Sequence, residues 1–370
     1  MIGLLAELVA IDSPSADPVA VSRARDRIDA FLAEAGVATR KLPTGAGGAD
    51  CLIASHHDTG SKRPLLLMGH MDTVFGTGEA ARRPFTIRDG RAYGPGVADM
   101  KAGLVMNAFL MAALSRHRVP LSIRALFTVD EEIGSPASHK VIEDVASQAA
   151  FVFNSEPGRS NGDIVRARRG GAFYRVCLTG RAAHAGLNPD QGRSAILALA
   201  MKILDWQALN DPEQGISVST GLISGGRAVN MIAPCAEAQI DLRFGSNETG
   251  QKAEDALRDV AMMSHVEGVS ATFEVLGKFL PMTETDRSRA FVETYLDAAR
   301  VGGVKREDGR EIAAAFTPSC SDAGLSSSLG VPTICACGPV GGGAHSEEEY
   351  LEVATIVPRT LAVFDTIARL

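Results

Sequence analysis

Three apolar runs in the first half of the chain each end in a short polar segment, and helical patterns separate them. LLLMGHMDTV (65–74), LSIRALFTVDEE (121–132) and FVFNSEP (151–157) are too continuously apolar for strands with one wet face. Strands buried on both faces belong to parallel α/β sheets, whose crossovers are helices. Residues 19–36 and KAGLVMNAFLMAAL (101–114) supply such helices. Open sheets of this kind carry their chemistry beyond the carboxyl ends of the strands. Here those ends bear His70, Asp72, Asp130, Glu131, Glu132 and Glu156.

The pattern changes after Arg168. AFYRVCLTGR (172–181) is a half-exposed strand, SAILALAMKILDWQAL (194–209) a helix, ISVSTGLIS and CAEAQIDLRF two strands, 249–264 a helix and SATFEVLG (270–277) a strand. That order, β-α-β-β-α-β, is the ferredoxin-like split unit. After Lys278 the α/β character returns with a helix at 287–302, the strand VPTICACG and a last helix ending at Leu370. The expected architecture is an α/β catalytic domain with a mostly parallel central sheet, formed by 1–168 and 279–370. An inserted ferredoxin-like domain, 169–278, interrupts it. A length of 370 residues accords with two domains.

Composition narrows the partners. Thirty-seven Lys+Arg against 44 Asp+Glu give a net charge of −7, with no basic stripe, and aromatics are 5% with one Trp. Neither nucleic acid nor an anionic membrane is an expected partner. No uninterrupted apolar stretch reaches the ~18 residues of a membrane span. The N-terminal Leu4, Leu5, Leu8 and Val9 recur at helical spacing and lack the basic flank of a targeting segment. Six dispersed cysteines, including Cys335 and Cys337 in an apolar run, point to reduced core residues and a cytoplasmic protein.

Five loops could carry chemistry. His70 and Asp72 share a face if the segment is extended, so Asp72 can reach the ring and orient it. Asp99, in AYGPGVADMKAG, precedes a helix that it could equally cap. Asp130, Glu131 and Glu132 crowd like charges at a strand end, which a cation would relieve. Glu156 follows another apolar strand, and His345 follows a glycine loop in GGGAHSEEEY. Two histidines with at least three acids suit two oxygen-rich metal sites and not a Cys-based structural zinc. Gly338-Pro339-Val340 and the glycines after it lack the Lys-Ser/Thr ending of a phosphate loop. Neither Ser217 nor Ser224 sits in a G-x-S-x-G elbow.

With these residues the sequence resembles the M20 metallopeptidase family, in its glutamate carboxypeptidase (carboxypeptidase G2-like) branch. The matching segments are GHMDTV, AYGPGVADMKAG, TVDEEIGS, SEP, TGRAAHAG, GGRAVNMIAP, DLRF and GAHSEEEY, in family order along nearly the whole chain. The resemblance implies a zinc-peptidase-like catalytic domain, a lid and dimerisation role for the insert, and two Zn²⁺ per chain, with Co²⁺ or Mn²⁺ as alternatives. Asp99 would bridge the ions, His70 and Glu156 would complete one site, and Glu132 and His345 the other. Glu131 would be the general base and Asp72 the His70 orienter. His184 would stabilise the reacting carbonyl oxygen, in some relatives from the partner subunit, while Asn230 and Arg243 would hold a substrate carboxylate. A cis Asp99–Met100 peptide is also expected. Ala102-Gly103 stands where the family commonly has Gly-Gly, which is tolerable if residue 102 has ordinary helical angles.

The implied activity is hydrolysis of an amide next to a C-terminal free amino acid, most closely a glutamate-type carboxypeptidase, on small carboxylated or peptide substrates. Deacylation of N-acyl amino acids is the alternative, and hydrolysis of another small amide or amine the more distant one. A catalytically silent binding relative would be expected to lose a ligand or the spare Glu, and all six positions are present.

Overall fold

The structure, a computed structural model, describes residues 1–45, 48–57 and 63–370. They form two compact units, Met1–Arg168 with Met282–Leu370, and Arg169–Pro281. The insert ends three residues later than the change of pattern at Lys278 suggests. Its last strand, Ser270–Phe279, continues to pair with Gly170–Thr179 as far as Phe279–Gly171. Arg168 and Met282 then exchange backbone hydrogen bonds of 3.0 and 3.1 Å, which close the boundary within the first unit.

The first unit is built on an eight-stranded sheet. Across it run Ala38–Leu42, Cys51–His56, Ile123–Thr128, Leu65–His70, Phe151–Asn154, Thr333–Cys335, Ile164–Arg168 and Ala314–Thr317. The central Leu65–His70 strand is parallel to both neighbours, and Phe151–Asn154 is parallel to Thr333–Cys335. The two strands at the Ala38 edge are antiparallel, so the sheet is mixed and mostly parallel at its centre. Every residue from Leu65 to His70 is buried, as its continuous apolarity requires.

The helix Ala102–His117 is apolar on all sides and lies in the core. With the turn before it, Val97–His117, it is long and apolar enough to cross a membrane, but 78% of that window is buried inside the protein. Its N-terminal end must pass close to the strand that carries Glu156. Gly103 makes this possible, because a Cβ there would collide with the Ser155 carbonyl oxygen. Ala102 has φ −65° and ψ −38°, ordinary helical values that need no glycine. Asn107, fully buried in the same helix, donates to the Met68 carbonyl at 3.4 Å and accepts from Ser155 Oγ at 2.7 Å. One helix thus braces the ends of two central strands.

A second, small sheet (Gly341–Gly342, Tyr350–Glu352, Arg91–Tyr93 and Thr86–Arg88) sets the remaining loops. Tyr350–Glu352 pairs with Arg91–Tyr93, which brings the loop after Gly342 beside the Asp99 loop.

The inserted unit is an antiparallel sheet in the order Ser217–Gly225, Cys235–Phe244, Gly170–Thr179, Ser270–Phe279, with helices Ala195–Gln207 and Asn247–Met262. Alternate residues of its strands point into a core with Tyr174, Val176, Trp206, Ile240 and Leu257. Ser194 and Ser246 cap the two helices. This is the expected βαββαβ order.

Gly103→Ala is expected to lower stability by about 1–3 kcal/mol through overpacking against Ser155. Gly3, in the helix Ile2–Val9, has open space around it, so Gly3→Ala is expected to be neutral or to stabilise by up to ~1 kcal/mol. Urea midpoints of the two variants should move in opposite directions, or only that of Gly103→Ala should fall.

Candidate metal centre

Six side chains from five loops meet at the carboxyl end of the central strands. His70 Nε2 lies 3.3 Å from Asp99 Oδ1, 3.8 Å from Glu156 Oε1 and 4.0 Å from Glu131 Oε2. His345 Nε2 lies 3.5 Å from Asp99 Oδ2 and 3.1 Å from Glu132 Oε2. The two Asp99 oxygens therefore face different histidines. Ligand atoms of His70, Asp99 and Glu132 lie within 4.8 Å of one another, as do those of His70, Glu131 and Glu156. Asp99 does not cap the following helix, and the Asp99–Met100 peptide is cis.

Asp72 organises three of these groups. Its main-chain oxygen is 3.0 Å and its Oδ1 is 3.3 Å from His70 Nδ1. Both atoms are acceptors, so in the neutral ring the proton sits on Nδ1 and Nε2 presents a lone pair to the acids. Asp72 Oδ1 also accepts from the Glu131 N–H, and Oδ2 from the Glu132 N–H, each at 3.1 Å. Ser15 Oγ donates to Oδ2 at 2.6 Å. The first of the three consecutive acids turns away from the cluster. Asp130 accepts from the backbone N–H groups of Ala137 and Ser138 and shapes the loop.

Glu349 holds the opposite side. It is fully buried and accepts from the backbone N–H groups of Gly96, Ala98 and Asp99, each at 2.9 Å. Burial raises its pKa to about 7, against those three bonds. Lys101 is also buried and donates from Nζ to the carbonyls of Ile11 and Pro95. Ser15, Lys101 and Glu349 do not stand out in the sequence. Glu349 closes the run Glu347-Glu348-Glu349, and nothing local separates a buried acid there from its solvated neighbours.

The cluster is electrostatically unbalanced without a cation. Burial, then the neighbouring Glu156, raises the pKa of Glu131 well above the carboxylate range. Burial followed by Asp99 raises Glu156 to about 7, and burial raises Glu132. Burial opposes a charged His70, but Asp72 and Asp99 outweigh it and its pKa rises well above the ordinary value. Asp99 and Glu132 lift His345 to about 10. Burial also works against an ionised Asp99, which His345 and His70 nevertheless hold below its usual range. His70 Nε2, Asp99 Oδ1 and Glu132 Oε1 are buried and lack a hydrogen bond of normal geometry. A lone pair and carboxylate oxygens converging without donors is a donor set for hard or borderline divalent cations. The residues fit such ions, with Asp99 offering one oxygen on the side of each histidine.

The inserted unit carries the other three candidates. His184 is exposed, and its Nδ1 accepts from the N–H groups of Gly186 and Leu187 at 3.1 and 3.2 Å. In the neutral ring Nε2 therefore bears the proton and can donate. Asn230 adjoins it, since the Ala185 N–H donates to the Asn230 carbonyl at 3.0 Å. Arg243 is elsewhere. It pairs with Gly171 across the sheet, whereas Cys235, next to the Asn230 loop, pairs with Thr179. Eight strand residues separate these ends, roughly 26 Å at the rise of an extended strand. Arg243 contacts Asp241 through both Nε, at 2.8 Å, and Nη2, at 3.0 Å. Within the unit, His184 and Asn230 come together and Arg243 does not join them.

The raised groups give the chelator-treated protein a defined pH response. Glu131, Glu132 and Glu156 bind protons more tightly folded than unfolded, and so do His70 and His345. Their stabilising protons are lost as pH rises from about 4.5 through the folded values, so stability falls on that side. Asp99 acts in the opposite sense, but only at lower pH. Thermal unfolding should therefore show a lower Tm at pH 8.5 than at pH 5.5 for the stripped protein. Zinc should restore most of the difference at pH 8.5. A pH-independent Tm without metal would contradict the charge imbalance.

Comparison with known proteins places this arrangement. Residues 66–369 match peptidase family M20/M25/M40. The chain is 29% identical over 370 residues to carboxypeptidase G2 of Pseudomonas sp. (strain RS-16), covering 98% of this chain and 86% of that protein. It is also 29% identical over 280 residues to acetylornithine deacetylase of Proteus mirabilis (strain HI4320), with 70% of each covered. Its fold is similar to that of an M20 family metallo-carboxypeptidase, Sso-CP2, from Sulfolobus solfataricus, with a TM-score of 0.80, 17% identity and coverage of 99% and 98%. With two histidines and four acids converging at the strand ends and a family match over most of its length, the chain belongs to peptidase family M20 and is a metal-dependent hydrolase.

Proposed function

We propose that the protein uses two Zn²⁺ ions to hydrolyse an amide that releases a free C-terminal amino acid, with glutamate the first candidate. Co²⁺ or Mn²⁺ would suit the same ligands. The observation that carries this reading is the division of labour in the cluster. Asp99 turns one oxygen to His70 and the other to His345, Glu132 lies 3.1 Å from His345 Nε2, and Glu156 and Glu131 both approach His70 Nε2, at 3.8 and 4.0 Å; the resemblance gives Glu131 the role of base. The similarity to carboxypeptidase G2 over 98% of the chain supports a carboxypeptidase. Similarity to acetylornithine deacetylase supports deacylation of an N-acyl amino acid as the second reading.

When bound, the ions supply Lewis acidity and acidify the attacking water. Asp72 keeps the His70 ring oriented and, through the Glu131 N–H, fixes the backbone of the base. A Glu131 carboxylate oxygen takes the proton from the water and returns it to the leaving amine. His184 donates from Nε2 to the carbonyl oxygen as negative charge develops there. Asn230 and Arg243 bind the carboxylate of the released amino acid. Their separation within one inserted unit means that a small substrate can meet both only if two copies contribute.

A homodimer through the inserted unit belongs to the same proposal. Its edge strand Ser217–Gly225 leaves Leu222 62% and Ile223 67% exposed, and the helix Ala195–Gln207 leaves Leu204 72% exposed. An open strand edge beside apolar side chains is suited to pairing across a two-fold axis. Light scattering should give a dimer for the parent chain and a monomer for Leu204→Lys combined with Ile223→Lys. A monomeric parent chain would remove this part of the reading.

Glu131→Gln is expected to reduce turnover by at least ~10²–10⁴-fold while zinc content stays near two per chain. Near-normal activity in that variant would take the proton-transfer role away from Glu131. Amino-acid release from matched dipeptides and N-acyl amino acids separates the two readings. Preferential release of glutamate supports the carboxypeptidase, and equal or better release from simple N-acyl substrates supports the deacylase.

A further inference from the structure

Beside one candidate ligand lies a pair of buried side chains that the chemistry above does not use. The loop after Ala314–Thr317 starts at the edge of the large sheet, with two strands between it and Phe151–Asn154. It nevertheless brings Ser321 and Asp322, 1% and 2% exposed, to the ends of the central strands. Ser321 Oγ lies 3.2 Å from Glu156 Oε1, the oxygen that is 3.8 Å from His70 Nε2. Asp322 accepts from the Ser135 hydroxyl and has Thr128 Oγ1 at 3.4 Å. Thr128 ends the strand before Glu131. Ser135 closes the turn that carries Glu131 and Glu132, its N–H donating to the Asp130 carbonyl at 2.9 Å. Asp322 also precedes the helix Ala323–Ser328, where an aspartate ordinarily caps, yet its side chain makes no cap hydrogen bond. The Ala323 N–H goes to Ser321 Oγ instead.

The Ser321 hydroxyl has its direction set by its surroundings. A serine oxygen carries one proton and two acceptor lone pairs. Asn154 Nδ2 donates to it at 2.8 Å and the Ala323 N–H at 3.3 Å, which occupies both acceptor positions. The proton is left for Glu156 Oε1, since the Cys335 sulfur, 3.8 Å away, is a weak acceptor. Asn154 is itself fixed at the end of its strand, where its carbonyl accepts from the Cys337 thiol at 3.0 Å and its Nδ2 also faces Cys335 Sγ at 3.6 Å. A carboxylate that receives a hydrogen bond from so fixed a group keeps both its orientation and its charge. Outer partners of this kind govern metal affinity.

We propose that Ser321 is a positioning residue of the metal centre: its hydroxyl, turned by Asn154, fixes Glu156 as a ligand on the His70 side. Asp322 ties the same loop to the turn of Glu131 and Glu132, so one dipeptide keeps acids from two strands in register. This role rests on the metal set of the proposed function and is independent of the substrate.

Zinc titrated in competition with a chromophoric chelator tests the role without turnover. The parent chain should bind two ions. In Ser321→Ala the affinity for one of them should fall by about 10–100-fold, while Ser321→Thr, which keeps the hydroxyl, should stay within about threefold of the parent. The metal-stripped Ser321→Ala protein should keep its Tm to within about 4 °C, the shift expected from one lost hydrogen bond. Asn154→Leu, which removes the group that turns the hydroxyl, should weaken the same site severalfold and serves if Ser321→Ala does not fold. Unchanged zinc affinity in Ser321→Ala would overturn the positioning role alone, and so would an equal loss in Ser321→Thr. Losses at both sites that parallel a large fall in the Tm of the stripped protein would make Ser321 merely structural. A loss confined to one site, in a protein whose parent cleaves no amide, would support the positioning role and refute the proposed reaction. A parent chain that takes up no divalent ion would refute the metal centre and this role with it.

Discussion

A single buried carboxylate holds the candidate centre together. Asp72 is fully buried and receives the backbone N–H groups of both Glu131 and Glu132, the Ser15 hydroxyl and the ring of His70. These four partners come from three places in the chain, so the position of one side chain correlates His70 with Glu131 and Glu132. An acid so placed is stable because every donor around it is fixed by the fold and aimed at it. The arrangement also sets the ring tautomer, which leaves His70 Nε2 as the atom turned toward the acids.

Around that anchor the protein accepts an unfavourable charge distribution. Glu131, Glu132 and Glu156 are brought close enough that burial and mutual repulsion raise their pKa values. The strands that deliver them are apolar and packed, and Gly103 and Asn107 lock the end of the Glu156 strand, together with the neighbouring His70 strand, to one helix. The rigid sheet supplies the energy to hold the cluster, and divalent cations are the natural relief. Glu349 does the same for the Asp99 loop by binding three backbone donors.

Much of this was legible in the chain. Continuous apolar runs imply strands buried on both faces, so the parallel centre of the sheet and the location of His70, Glu131 and Glu156 at its carboxyl end follow from local pattern. The ferredoxin-like order of the insert follows from alternation in its strands. Less visible were the residues that act through distant backbone groups. Ser15 and Glu349 lie 57 and 250 positions from Asp72 and Asp99, which they support, and no spacing rule spans such distances. The separation of Arg243 from Asn230 was equally hidden, because it depends on the length and register of one antiparallel strand pair.

The sequence by itself determined the alternation of strands and helices, the insertion of a second unit and the identities of the acids and histidines available for metal chemistry. These rest on short-range periodicity and on residue chemistry, which the chain carries at every point. Tertiary structure alone decided which of three consecutive acids turns into the loop and which two face the centre. It also decided that the two oxygens of Asp99 meet different histidines, and that Arg168 is buried in the wall of the same cleft. Those outcomes depend on where separate strand ends arrive in space, and that is fixed by packing across the sheet.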